Sequence, residues 1–128
     1  MQRLTDVVLA VAWKRVVVER YAQFFGRAGG AEFWWFFLAN LIAAAILSYL
    51  GRVVSTVFLY PYLLYVVAVI VPGFAVSVRR LHDIGRSGWW ILIGLVPVVG
   101  VIVLFVFHVM AGDPGINAYG PTPPPLPA

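Results

Sequence analysis

Hydropathy along the chain divides into three uncharged apolar runs separated by short polar segments. Phe33–Leu50 ("FWWFFLANLIAAAILSYL") is 18 residues long, near the lower end of the about 17–25 residues that carry a helix across a bilayer. Val53–Val78 has 26 residues, with Pro61, Pro72 and Gly73 as places for a bend. Trp89–Met110 has 22, with Pro97 and Gly100 inside it and His108 near its end. Proline is tolerated in membrane helices where neighbours satisfy the freed carbonyl. The pattern predicts three transmembrane helices, near 33–50, 53–78 and 89–110. Only Gly51 and Arg52 separate the first two, which implies a tight antiparallel hairpin.

Residues 1–25 follow a different period. Within Leu4–Phe25 ("LTDVVLAVAWKRVVVERYAQFF"), a helical wheel gathers Leu4, Val7, Val11, Val18, Ala22 and Phe25 on one face. Thr5, Glu19, Arg20 and Gln23 fall on the other, with Lys14 and Arg15 flanking the stripe. Asp6, Lys14 and Arg15 interrupt the apolar face too often for a span, so an N-terminal amphipathic helix lying in the interface is expected. "AVA" at Ala10–Ala12 mimics a signal-peptide cleavage site, but the apolar stretch after Asp6 is too short for an h-region. Gly26, Gly29 and Gly30 then make an elbow into the membrane domain, residues 26–120. The segment 121–128 is expected to be a Pro-rich tail, polyproline-like or disordered.

Composition agrees with an integral membrane protein. Of 128 residues, 62% are hydrophobic and 11% charged, against about 45–50% and about 25% in soluble domains. So small a soluble domain cannot bury that much apolar surface, and a bilayer must serve as solvent. The net charge of +4 does not read as a nucleic-acid surface, because the basic residues flank the apolar runs. Arg3, Lys14, Arg15, Arg20 and Arg27 precede the first run and Arg79, Arg80 and Arg86 follow the second, against Arg52 alone in the first loop. This asymmetry puts the N-terminus and the 79–86 loop in the cytoplasm and, with three spans, the C-terminus outside. A re-entrant third run would return the C-terminus to the cytoplasmic side. With no cysteine, disulfides, thiolate nucleophiles and Cys-ligated metals are excluded.

The densest charge lies in "VRRLHDIGRSGWW", Val78–Trp90. Arg79, Arg80 and Arg86 form a candidate anion or lipid-headgroup site, since guanidinium groups bind phosphate through paired hydrogen bonds. Two other readings stand beside it: a non-specific positive-inside anchor, and internal pairing with Glu32 and Asp83. His82 and Asp83 are neighbours on different helix faces, a poor start for a catalytic dyad. Glu32, His82, Asp83 and Ser87 are expected to order the loop, with Asp83 or Ser87 capping the next helix. Trp34, Trp35, Trp89 and Trp90 begin the first and third runs on one side and form an aromatic belt. His108 is the ionisable group inside the third run. No metal site is expected from two histidines 26 residues apart, and no catalytic residue is assigned.

"FGRAGGAEFWWF" (Phe25–Phe36), "VRRLHDIGRSGWW" and "GDPGINAYGPTP" (Gly112–Pro123), in that order, resemble the domain-of-unknown-function 805 family, small bacterial inner-membrane proteins. The resemblance covers Tyr21 to Pro123 and implies an all-helical fold and a bacterial membrane location. It supplies no activity or cofactor. Relatives usually carry a basic residue or two where Gly29, Gly30 and Ala31 stand here.

Taken together, these features lead us to expect an all-α, multi-pass protein of the bacterial inner membrane, without enzymatic activity or cofactor. Its partners would be anionic membrane lipids and, if it oligomerises, copies of itself, but not nucleic acid. The alternative is a small oligomeric transporter or channel subunit with a path lined by His108, Asn40 and the kinks at Pro72 and Pro97.

Overall fold

The computed structural model describes residues 2–126, with side chains from Val7 onward. Helices are the regular elements of the described chain, and the elbow before Gly30 and the segment after Val109 are irregular apart from one isolated bridge between Asn117 and Gly120. Helix α1 (Gln2–Lys14) runs into a π-helical turn, Arg15–Glu19. Helices α2 (Gly30–Val53) and α3 (Leu59–Asp83) are both long and apolar enough to cross a membrane. A 3-10 helix (Gly88–Leu95) and a short helix α4 (Val99–Val109) follow.

α2 and α3 form an antiparallel pair. Gly30, at the start of α2, lies against the Arg80 guanidinium near the end of α3, and Gly51 lies against Leu59 at the opposite end. The link is longer than the two residues expected, because α2 runs on to Val53 and a 3-10 turn at Thr56–Phe58 precedes α3. Ser55 caps that turn by accepting from Val57 N at 3.3 Å. Helix α3 also outruns its apolar stretch by five residues, so Arg79, Arg80, His82 and Asp83 belong to its last turns and not to a loop. Hydropathy ends at the first charge. The helix does not, because those charges are neutralised within the fold, as described below.

The third apolar run, expected as a single helix over 89–110, is divided into the 3-10 helix and α4, neither of them as long as α2 or α3. Val98 sits at φ 64°, ψ −64°, and Val99 N donates back to Pro97 O at 2.7 Å. This is the rarer, strained kind of γ-turn, and it folds α4 back on the 3-10 helix. Gly100 permits the reversal, since a Cβ there would collide with the Ile93 carbonyl. The backbone at the tip closes on itself: Val96 N donates to Ile93 O, Gly100 N to Val96 O and Ile102 N to Val98 O, at 3.0–3.1 Å, while Pro97 has no N–H to leave bare. The limbs match in length. Eight residues of 3-10 helix rise about 16 Å at about 2.0 Å each. Eleven residues of α helix rise about 16 Å at about 1.5 Å each. That is about half of a hydrocarbon core about 30 Å thick.

Helix α1 packs lengthwise on α2. Val16 sits in a core with Ala28, Phe36 and Val76, while Leu9, Ala10 and Trp13 face Ala39 and Ile42 across a shallow cleft. As α1 numbers fall, their α2 partners rise, so the two helices are antiparallel. The contact face is Leu9, Ala12, Trp13 and Val16, whereas Val7 and Val18 of the stripe picked by the wheel stay exposed. The wheel found the face without charge, but packing used a second apolar face that holds a hydrogen-bond donor. Trp13 Nε1 donates to Tyr65 Oη at 3.0 Å, Tyr65 Oη donates to Asn40 Oδ1, and Asn40 Nδ2 donates to Phe36 O at 3.0 Å.

Candidate functional site

All these elements converge on one end of the bundle, where Arg27, Glu32, Arg79, Arg80 and Asp83 are each at most 4% exposed. Successive residues on a helix point about 100° apart, so Arg79 and Arg80 serve different partners. Arg79 Nη1 donates to Glu32 Oε1 at 3.0 Å and its Nε to Gln23 O at 3.0 Å. Glu32 stands in the first turn of α2, where the helix dipole favours a carboxylate. Arg80 turns toward α4. Its Nη1 donates to Asp83 Oδ2 at 2.6 Å, its Nε to His108 O at 3.3 Å and its Nη2 to Met110 O. It therefore binds the carbonyl-rich, electronegative end of the returning helix.

Arg27 completes the hub from the elbow. Its Nε and Nη2 both reach Asp83 Oδ1 at 2.9 Å. The same guanidinium donates to Asp113 O and Gly115 O at 2.6 Å and to Gly120 O at 3.2 Å. One side chain thus ties the elbow, α3 and the C-terminal segment together. Burying ions costs several kcal/mol each unless the geometry is good and the remaining donors are satisfied, and Arg27 and Arg80 meet that condition with carbonyls.

Backbone turns hold this arrangement. After α3, Gly85 N donates to His82 O at 3.0 Å and Arg86 N to Leu81 O at 2.9 Å, with Gly85 at φ 77°. This is a Schellman stop, and it requires the left-handed residue at Gly85. Asp113 N donates to Asp83 O at 2.7 Å. Asn117 Nδ2 donates to His82 O at 2.8 Å and to Asp113 Oδ2 at 3.0 Å, while Asn117 Oδ1 accepts from Tyr119 N at 2.8 Å. Tyr119 in turn stacks on His82, rings 4.1 Å apart and 2° from parallel. His82 Nδ1 lies 2.9 Å from Gly26 O. A carbonyl has no proton to give, so Nδ1 carries it.

Of the three arginines singled out in the sequence, then, two face inward and are paired with acids. Arg86 is different: it makes no recorded ion pair among the described residues, and its guanidinium lies 5.2 Å from the Trp90 ring and 4.4 Å from the Phe107 ring. Ser87 caps the 3-10 helix, accepting from Trp89 N at 3.3 Å. Trp34 Nε1 donates to His108 O at 3.0 Å, Trp35 is half-buried, and Trp89 is 78% exposed. All four tryptophans lie at the hub end. Beside them, an apolar groove of about 610 Å³ runs between α3 and the 3-10 helix, along Ile70, Phe74 and Leu92, with His82 and Ser87 at its polar end. Among the described residues no group of three or more His, Asp or Glu side chains is placed to hold a metal.

Arg27, Asp113, Asn117 and Tyr119 carry much of the hub, whereas from the sequence Arg27 counted only toward orientation and the other three had no role. The available signal was an arginine and an Asx-turn motif inside glycine-rich segments, "FGRAGG" and "GDPGINAYG".

The motifs that meet in the hub are also those a family profile covers. The profile described as "Protein of unknown function (DUF805)" matches residues 21–121. The chain belongs to the DUF805 family. Among relatives, the Escherichia coli K12 inner membrane protein YhaI is 40% identical over 111 residues, covering 87% of this chain and 94% of its own. The inner membrane protein YhaH of the same strain is 37% identical over 122 residues, covering 87% and 95%. No solved structure matches. Two helices of spanning length and this kinship make this DUF805 chain an integral membrane protein.

Proposed function

We propose that the protein is a non-enzymatic phospholipid-binding protein of the bacterial inner membrane, its hub end facing the cytoplasm. α2 and α3 cross the bilayer, and the third apolar run enters and leaves on the hub side. α1 packs on α2 within the bilayer. Lys14, Arg15, Arg20, Arg27, Arg79, Arg80 and Arg86 cluster at the hub end, while Arg52 lies at the other, toward which α1 carries Arg3. This asymmetry favours the cytoplasmic side for the hub.

The observation that carries the reading is the groove between α3 and the 3-10 helix. It is apolar along its length, polar at His82 and Ser87, and ends beside exposed Trp89. A lipid acyl chain fits the first part, and Arg86, next to Ser87, offers the headgroup a cation not engaged by a carboxylate. Arg79 and Arg80 contribute the fold that holds the groove. In nanodiscs containing equal neutral and anionic phospholipid, native mass spectrometry is expected to recover the protein with anionic lipid enriched several-fold. Arg86→Ala should remove the enrichment, and Phe74→Trp should reduce total retained lipid. Equal retention of both lipids by the unaltered protein, or enrichment that survives Arg86→Ala, would overturn the proposal.

A further inference from the structure

A second cleft, on the other face of the hairpin, points to a different ligand. His108 is 6% exposed, and its Nδ1 lies 2.6 Å from Leu104 O, so Nδ1 is the donor there. In the neutral ring Nε2 is then a bare acceptor. It is buried and has no hydrogen-bond partner among the described residues. A buried polar atom is costly to leave unpaired, and the aromatic side chains around this one supply it no partner.

His108 lines a cleft of about 330 Å³ between α2, α3 and α4. The other walls include Phe33, Trp34, Phe37 and Phe105, with Ser77 as a second polar group. Phe33 lies 4.4 Å from the His108 ring. Phe37 and Phe105 are about half exposed, so the cleft opens sideways onto the surface left for lipid. Trp34 hydrogen-bonds the His108 carbonyl, which places the cleft near the hub end of the bundle.

The geometry points to a binding site for a neutral, lipid-soluble ring compound bearing a hydroxyl donor, the class of phenols and quinols. The aromatic walls take the ring by edge and face contacts, and the hydroxyl donates to His108 Nε2, which is closed to water and is reached as the wall side chains part. A plain hydrocarbon chain would fill the volume but leave Nε2 unpaired, so the site selects for the hydroxyl. The site is separate from the phospholipid groove and from Arg86.

The chain has two histidines, so ¹⁵N-histidine labelling of the protein in nanodiscs gives a readable signal from each ring. Titration with 4-heptylphenol is expected to move the His108 Nε2 resonance saturably, and heptylbenzene to bind at least tenfold more weakly. His108→Phe should abolish the difference between the two probes, and Val101→Trp, on the α4 wall of the cleft, should exclude both. No saturable shift, equal affinity for the two probes, or phenol binding that survives Val101→Trp would overturn the inference. The comparison of the two probes on the unaltered protein decides the matter even if either variant fails to fold.

Discussion

Asp83 is where two buried arginines meet, and its replacement should be the most damaging single change in the hub. Asp83→Asn leaves Arg27 and Arg80 buried without their shared carboxylate. Breaking a buried pair this way costs about 3–5 kcal/mol, so a large fall in melting temperature in detergent is expected. Arg79 and Glu32 offer a more discriminating test, because one oxygen of Glu32 and one nitrogen of Arg79 are already unpartnered in the pair. Arg79→Met or Glu32→Leu alone should destabilise by about 3–5 kcal/mol, whereas the double variant should recover most of that loss. Arg86 is half-buried on two aromatic rings, an interaction worth about 0.5–1 kcal/mol at exposed sites and about 2 kcal/mol when desolvated. Arg86→Ala should therefore lower the melting temperature much less than Asp83→Asn, which separates the buried ion pairs of Arg79 and Arg80 from the role proposed for Arg86. The charge cluster was legible in the sequence and so were its candidate partners, Glu32 and Asp83. The division of labour was not, since a hydropathy plot treats all three arginines alike.

At the scale of elements, the hairpin at Pro97–Gly100 and the docking of α1 are the informative cases. Gly100→Ala drives a Cβ into the Ile93 carbonyl, and overpacking of this kind costs about 1–3 kcal/mol. The variant should loosen the returning limb, seen as faster hydrogen exchange over Val99–Val109 than over α3. Tyr65→Phe removes both the acceptor for Trp13 Nε1 and the donor to Asn40. Interhelical hydrogen bonds in membranes average about 0.6 kcal/mol and reach about 1.7, so α1 should gain exchange with little change in α2 or α3. Asn40, proposed from the sequence as part of a transport path, is held in this row of hydrogen bonds. The break in the third run was foreshadowed by "VPVVG", but proline and glycine also occur in membrane helices that continue. Pro72 sits inside α3 without ending it.

For the whole molecule, the prediction concerns which end each segment reaches. Because the chain has no cysteine, single-cysteine variants report accessibility cleanly. Ile116, 81% exposed in the C-terminal segment, lies at the hub end, and Arg52 lies at the opposite end. Ile116→Cys and Arg52→Cys should react with a membrane-impermeant maleimide from opposite sides, and Val98→Cys at the hairpin tip from neither. A continuous third span would instead put Ile116 on the side of Arg52. The hub makes the first outcome the expected one, because Arg27 holds the carbonyls of Asp113, Gly115 and Gly120 beside the end of α3.

Composition and hydropathy by themselves determined that the chain is helical and membrane-embedded, and roughly where its apolar segments lie, because the bilayer imposes length and polarity on each segment independently. The three quoted motifs were enough for the family. Only the tertiary structure decided that α3 carries its charges to Asp83, that the third run turns back and that α1 uses its other apolar face. Each of those outcomes depends on partners far away in sequence: Glu32 and Arg27 for the charges, the Ile93 carbonyl for Gly100, Tyr65 for Trp13. A pattern read along one segment records its affinity for lipid or water, and such distant contacts leave no mark on it.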